Sequence, residues 1–134
     1  MQSNVNLITA AATSTGLFRK VCDDAPHEFG DNDFPNLVVW HRSLIGFEPI
    51  TTDLLRYNAK WRYEVEISAL FTGGHAAVEN LLLRFLVAVQ ASTSDPWFQI
   101  VGDIPVEEGS IGQYKTINAS ITLDMLTAYD LEIV

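Results

Sequence analysis

The segment Arg62–Gln90, RYEVEISALFTGGHAAVENLLLRFLVAVQ, changes its hydrophobic period halfway along. Up to Phe71 apolar and polar residues alternate, which is typical of a β-strand with one buried face. After His75 apolar residues recur at the three- and four-residue spacing of an amphipathic helix. The segment therefore predicts a strand that leads into a helix through the turn Gly73-Gly74.

The strand is predicted to run from Trp61 to Phe71, and a second strand with the same alternation is predicted from Tyr114 to Thr127. The apolar faces consist of Trp61, Tyr63, Val65, Ile67, Ala69 and Phe71 in the first strand and Ile117, Ala119, Ile121, Leu123 and Met125 in the second. One apolar face in each strand is the pattern of an antiparallel sheet that is covered on one side.

The predicted helix from His75 to Ala91 supplies that cover. Its main apolar arc consists of Val78, Leu81, Leu82, Phe85, Leu86 and Val89. Leu83 and Val87 lie outside this arc and form a second apolar ridge. Such a ridge indicates contact either with a partner molecule or with the first helix of the chain, and the sequence leaves both open.

The remaining segments complete a single domain of residues 1–134. A first helix is predicted from Asn4 to Lys20, an acidic loop from Val21 to Pro35, and a short strand from Asn36 to His41. Ser43–Lys60 is predicted to be either irregular or a loose hairpin, with Phe47 and Ile50 facing inward. The fold class that follows is α+β, a mainly antiparallel sheet covered on one face by an N-terminal helix and a long central helix.

Composition narrows the class of protein. The formal net charge is −9, and a single cysteine, Cys22, excludes an internal disulfide framework, so a reducing cytoplasm is the default compartment. Arg84 interrupts the longest apolar run, so no membrane span is predicted. Tight binding of phosphate needs clustered cations, and the acidic stretches of this chain do not provide them. A nucleic-acid reader is therefore not expected.

The motifs that resemble catalytic or metal sites are incomplete. Gly73-Gly74-His75 lacks the lysine and the full glycine pattern of a phosphate loop. Glu64 and Glu66 share the polar face of their strand without the neighbouring lysine of a metal-dependent nuclease, and the acidic loop does not fit an EF-hand. The sequence therefore predicts no catalytic, cofactor-binding or metal-ligating residue, no cofactor, and a protein that is not an enzyme.

The stretch from Ser94 to Ile111, SDPWFQIVGDIPVEEGSI, is long for a connection between a helix and a strand. It contains Trp97 and Phe98, adjacent aromatic residues of the kind that anchor protein interfaces. We expect one of the two rings to pack inward and the other outward. The candidate interface residues are Leu83, Val87, Trp97 and Phe98.

The order of these elements resembles the tail terminator (tail-completion) proteins of long-tailed bacteriophages. The resemblance covers nearly the whole chain and rests on pattern. It consists of the early helix, the proline-led strand in FPNLVVW (Phe34–Trp40), the long strand that runs into the helix, and a loop containing Asp103-Ile104-Pro105 before a long alternating final strand.

The resemblance implies a structural protein of the virion tail or neck, assembled in the host cytoplasm. It implies a homo-oligomeric ring, usually a hexamer, that caps the tail tube protein, ends its polymerisation and joins it to the head connector. DNA would pass through the bore without specific binding. The acidic residues expected near the bore are Asp23, Asp24, Glu28, Asp31, Asp33, Asp103, Glu107 and Glu108.

Two alternatives stay open. One is another neck protein, such as a head–tail adaptor or tube cap, with the same arrangement of elements. The other is a cellular enzyme or a domain that binds a small ligand, which predicts a deep pocket with a titratable residue of perturbed pKa. The ring instead predicts apolar surface left exposed on the protomer.

Overall fold

A computed structural model describes residues 2–23, 29–49, 56–92 and 97–130. The helices are α1 (Gln2–Ser14) and α2 (Gly74–Ser92), and the strands are β1 (Lys20–Cys22), β2 (Asn36–Pro49), β3 (Arg56–Leu70), β4 (Trp97–Ile100), β5 (Val106–Ile111) and β6 (Tyr114–Asp130). Short 3-10 helices occupy Asp31–Asp33 and Phe71–Gly73. Neither α-helix in these ranges has the length and apolar composition that a membrane span requires.

The strands form one sheet in the order β1-β2-β3-β6-β4, and β5 pairs with β6 along the same edge as β4. Every pairing is antiparallel except that of β1 with β2. The predicted α+β class is confirmed, with a mostly antiparallel sheet and two helices.

The core lies between the helices and one face of the sheet. In the centre of the sheet Tyr63 pairs with Leu123 and Val65 with Ile121, and all four side chains are buried. From α2 the buried side chains are Val78, Leu81, Leu82, Phe85 and Val89, while Leu86 packs partly buried against them. The apolar arc predicted from the sequence is therefore confirmed. Each buried aliphatic or aromatic side chain stabilises the fold by about 1.5–3 kcal/mol.

The first helix is shorter than predicted. Val5, Ile8 and Ala12 are buried as expected, but α1 ends at Ser14 rather than at Lys20. Hydroxyl groups near its end donate to backbone carbonyl oxygens three or four residues earlier, which weakens a helix. Gly16 then has φ +69°, the left-handed conformation that commonly ends a helix. Lys20 lies in β1 instead.

The region predicted to be irregular, Ser43–Lys60, is occupied mainly by the two strands β2 and β3. The register between them shifts at Trp40 and at Ile45, and each shift marks a β-bulge that interrupts the alternation of side chains. Phe47 does not face inward. Its ring is 53% exposed and stacks on Tyr57 at 4.6 Å between centroids. Ile50 lies outside the described residues.

The stretch Ser94–Ile111 is not a single loop, because it contains β4 and β5. Both are short edge strands that hydrogen-bond to different parts of β6. β6 therefore pairs with three strands, β3 on one side and β4 and β5 on the other. The prediction of a long loop was wrong here, because the sequence of an edge strand does not show which strand it pairs with.

The junction at Gly73-Gly74 is a turn between packed elements. β3 ends at Leu70, one 3-10 turn follows, and α2 begins at Gly74. Gly74 has φ +77° and ψ 173°, a combination that is essentially restricted to glycine, and its N–H donates to the carbonyl oxygen of Phe71. His75 is exposed in the first turn of α2, as predicted.

Candidate interaction surfaces

The outer side of α2 carries an apolar ridge that the domain does not use. Leu83 is 62% exposed and Val87 is 66% exposed, on the side of the helix away from the sheet. The exposed Arg84 lies between them in sequence. α1 packs against α2 without covering these two side chains. Of the two explanations for the second ridge, contact with the first helix is therefore excluded.

The second surface is the sheet face turned away from both helices, here called the open face. It carries Glu64, Glu66, Ser120 and Thr122 near its centre. Neither helix packs against it, since both contribute to the core on the other side. The sheet thus has one face buried by the two helices, while neither helix covers the open face, on which Ser68 and Asp124 are nevertheless buried.

An ion pair on the open face joins β3 to β6. The Arg62 guanidinium donates Nε to Asp124 Oδ1 at 2.8 Å and Nη2 to Oδ2 at 3.0 Å, and Asp124 is 3% exposed. The hydrogen bond and the charge of Asp124 raise the pKa of Arg62. A bidentate pair of this kind, between residues directly opposite each other, helps to hold the register of the two strands.

A cavity of about 250 Å³ opens on the same face. Its apolar walls are the side chains of Phe29, Val38, Trp40 and Ile111, and its polar lining is Asn36, Glu66 and Ser68. The Ser68 hydroxyl donates to Glu66 Oε1 at 3.4 Å, and no cation in the described part of the chain lies within ion-pairing distance of Glu66. The cavity therefore combines aromatic walls with a carboxylate.

The structure keeps the residues of the incomplete motifs apart. Glu64 faces His41, with Oε2 and Nδ1 3.8 Å apart, while Glu66 lines the cavity and His75 lies at the start of α2. The cavity that Glu66 lines includes neither Glu64 nor His75. Within the same residues no group of three His, Cys, Asp or Glu side chains is placed to hold a metal ion.

Cys22 is half-buried in β1, on the same side of the sheet as the open face. Burial raises the pKa of its thiol, with smaller contributions from Asp23 and Asp33 against an opposing one from Lys20. A thiol with a raised pKa stays protonated at neutral pH and is a poor nucleophile. The geometry gives this cysteine a packing role.

The aromatic candidates are only partly described. Phe98 is partly buried and packs against the core, opposite Met125 in β6. Trp97 begins β4, but its side chain lies outside the described part of the structure. The expectation that one ring faces inward fits Phe98, and the other half of that prediction stays a prediction.

The acidic candidates that the structure describes lie in two separate regions, around β1 and around β5. Asp24 and Glu28, and the side chain of Asp31, lie outside the described part of the structure. Asp33 is not free, since it accepts a hydrogen bond from Gly30 N–H and pairs with Lys20 Nζ at 3.7 Å. Asp23 also makes a contact, its backbone oxygen accepting from Arg42. The candidates with exposed side chains on the opposite sheet edge are Asp103, Glu107 and Glu108.

One exposed apolar surface was not predicted from the sequence. Along the outer half of β2 the large apolar side chains are exposed, namely Trp40, Leu44, Ile45 and Phe47. Two bulges in this strand turn residues away from the face that simple alternation would give them. Apolar residues at two adjacent positions, Leu44-Ile45, are the signal that could have indicated a strand exposing apolar side chains on both faces.

Comparison with known proteins adds no identification. No family model matches the chain, and no curated protein matches it closely enough to count as a relative.

Proposed function

We propose that this protein is a ring-forming structural component of a virus tail, similar in role to phage tail terminators. In this role it caps the tail tube, ends its polymerisation and joins it to the head connector, and DNA passes through its bore. The chain itself supplies surfaces for assembly rather than a catalytic site.

The observation that carries the proposal is the exposure of Leu83 and Val87 on a helix whose inner arc already completes the core. A monomer gains nothing from a second apolar ridge on its most regular helix. Exposed apolar side chains on such a ridge are typical of a surface that another protein covers. Leu44 and Phe47, exposed on β2, add to the apolar area available for contact.

Disrupting the ridge is expected to prevent assembly while the fold persists. Changing Leu83 and Val87 together to Asp places two charges in the contact, and we expect the apparent association constant to fall by more than about tenfold. Sedimentation velocity over a range of concentrations measures this change, and negative-stain microscopy shows whether rings form. Thr13→Asp, an exposed position on α1, is the matched control and should leave association unchanged.

Because some terminators oligomerise only on the tube, the decisive observation comes from particles. Those assembled without the protein should have overlong tails or tails without heads. Normal tail length and attached heads in its absence would overturn the proposal. Assembly that stays intact in the Asp variant would instead show that the ridge is not the contact.

The acidic residues of β5 and the preceding turn are our candidates for the bore. Reversing Asp103, Glu107 and Glu108 to Lys should slow the passage of DNA, because a positive lining attracts phosphate that the wild-type surface repels. The measurement is the rate of DNA ejection from assembled particles. The control is Glu79→Lys on α2, which changes the charge at one site by the same amount as each Glu-to-Lys or Asp-to-Lys substitution. Ejection at the wild-type rate with all three changes would place these acids away from the bore.

A further inference from the structure

Most cations of this chain are already engaged. Of its eight Lys and Arg side chains, only those of Arg19 and Arg84 make no ionic, hydrogen-bonding or aromatic contact with another residue that the structure describes. Arg84 lies on α2 beside the exposed Leu83 and Val87. In a chain of formal net charge −9, Arg84 is thus one of two cations without a partner among the described residues.

The cavity on the open face has complementary chemistry. A guanidinium stacks on aromatic rings and pairs with a carboxylate through its planar fork of N–H donors. Trp40 provides an exposed ring, and Glu66 provides a carboxylate that no cation of the described residues pairs with. The ring of Phe29, on the other wall, already has Lys20 Nζ 5.6 Å from its centroid. Its volume of about 250 Å³ is below the roughly 300–1,000 Å³ of sites for small ligands and suits a single long side chain.

The two surfaces lie on opposite sides of the protomer. α2 covers the core face of the sheet and turns its ridge away from it, whereas Glu66 faces the other way. Complementary patches on opposite sides of one molecule produce head-to-tail contacts, which close into a ring when the rotation between copies permits. The occupant that the charges favour for this cavity is therefore a second copy of the chain.

We infer that Arg84 of one protomer inserts into the cavity between Trp40 and Glu66 of the next, with Leu83 and Val87 packed around its mouth. This inference rests on the proposed ring and specifies its subunit contact. The half-exposed indole of Trp40 is covered in that contact, and the carboxylate of Glu66 gains its cation. Lys20 Nζ lies over Phe29 at the edge of the cavity, but it pairs with Asp33 and makes no ion pair with Glu66 among the described residues.

A charge exchange tests the contact. R84E and E66R should each weaken self-association by at least about tenfold, because each leaves a like-charged pair in a desolvated site. The double variant R84E/E66R should recover association to within about threefold of wild type, since the pair is restored with its charges reversed. The controls are R19E, at the other unpaired cation, and E64R, two residues from Glu66 on the same strand face. Circular dichroism confirms that each variant is folded.

Weak association is followed by NMR from about 0.02 to 1 mM, where dissociation constants near the millimolar range are still measurable. Concentration-dependent shifts of the Trp40 indole signal, lost in either single variant and regained in the double variant, support the contact. No such shifts in wild type, or a double variant no better than the single ones, overturn it.

The same experiment separates this inference from the proposed function. Rings in the microscope that survive R84E would overturn the contact and leave the ring in place. A charge-dependent contact that builds open chains instead of rings, with normal tails on particles lacking the protein, would overturn the tail function and leave the contact in place.

Discussion

Leu82→Ala should lower the free energy of unfolding by about 2–5 kcal/mol, whereas the same change at the next residue, Leu83→Ala, should alter it by no more than about 0.5 kcal/mol. Leu82 is 8% exposed and belongs to the core cluster, so its truncation removes buried apolar area and leaves a cavity. The side chain of Leu83 points away from the sheet and is mostly solvated in the protomer.

Urea or guanidinium unfolding of the two variants at a concentration where the protein is monomeric measures the difference. The two substitutions have the same chemistry and neighbouring positions on one helix, so helix propensity cancels between them. Equal losses of stability would contradict the orientation of α2. A large loss for Leu83→Ala only at high protein concentration would instead reflect loss of assembly.

The second large effect is expected at the turn into α2. Gly74→Ala should destabilise the protein by about 1–3 kcal/mol, because Gly74 has a backbone conformation that side-chain-bearing residues rarely adopt. Gly73→Ala should change stability by less than about 1 kcal/mol, since Gly73 does not have a positive φ and an added Cβ would lie 3.4 Å from the Cβ of Ala77.

Thermal unfolding of both variants under the same conditions tests this pair. A comparable loss of stability in both variants would mean that the turn rearranges or that neither glycine is required by its backbone conformation. Gly74 lies at a position where a phosphate-binding loop would need a glycine. If a Gly74→Ala protein is folded and assembles normally, this would also support a packing role for the turn.

The parts of the fold that the sequence predicts are those buried on one side only. β3, α2 and β6 show regular periods because each alternates between the core and the solvent. Their predicted faces are confirmed except at Phe71, which lies beyond the end of β3 and is 41% exposed. The outer half of β2 escaped prediction because its two bulges break the period of two. β1, β4 and β5 escaped because short edge strands with mostly exposed or partly buried side chains carry little hydrophobic pattern.

The candidate surfaces also divide into one that the local sequence pattern predicts and one that it does not. Leu83 and Val87 follow from a helical wheel, since they are apolar residues outside the buried arc. The cavity around Glu66 does not follow from any local pattern, because its lining comes from four separate segments around Phe29, Val38, Glu66 and Ile111. Only the sheet register, which long-range pairing decides, brings these segments together.

The position of β6 has a consequence for how the chain is made. It is the strand furthest along the described chain, yet it lies inside the sheet, and its Asp124 pairs with Arg62 across 62 residues of sequence. A ribosome must therefore release nearly the whole segment through Asp130 before β3 gains its second neighbour. Until then β3 has one neighbouring strand and α2 lacks the part of its cover that β6 provides, so we expect folding to be delayed until synthesis of this domain is nearly complete.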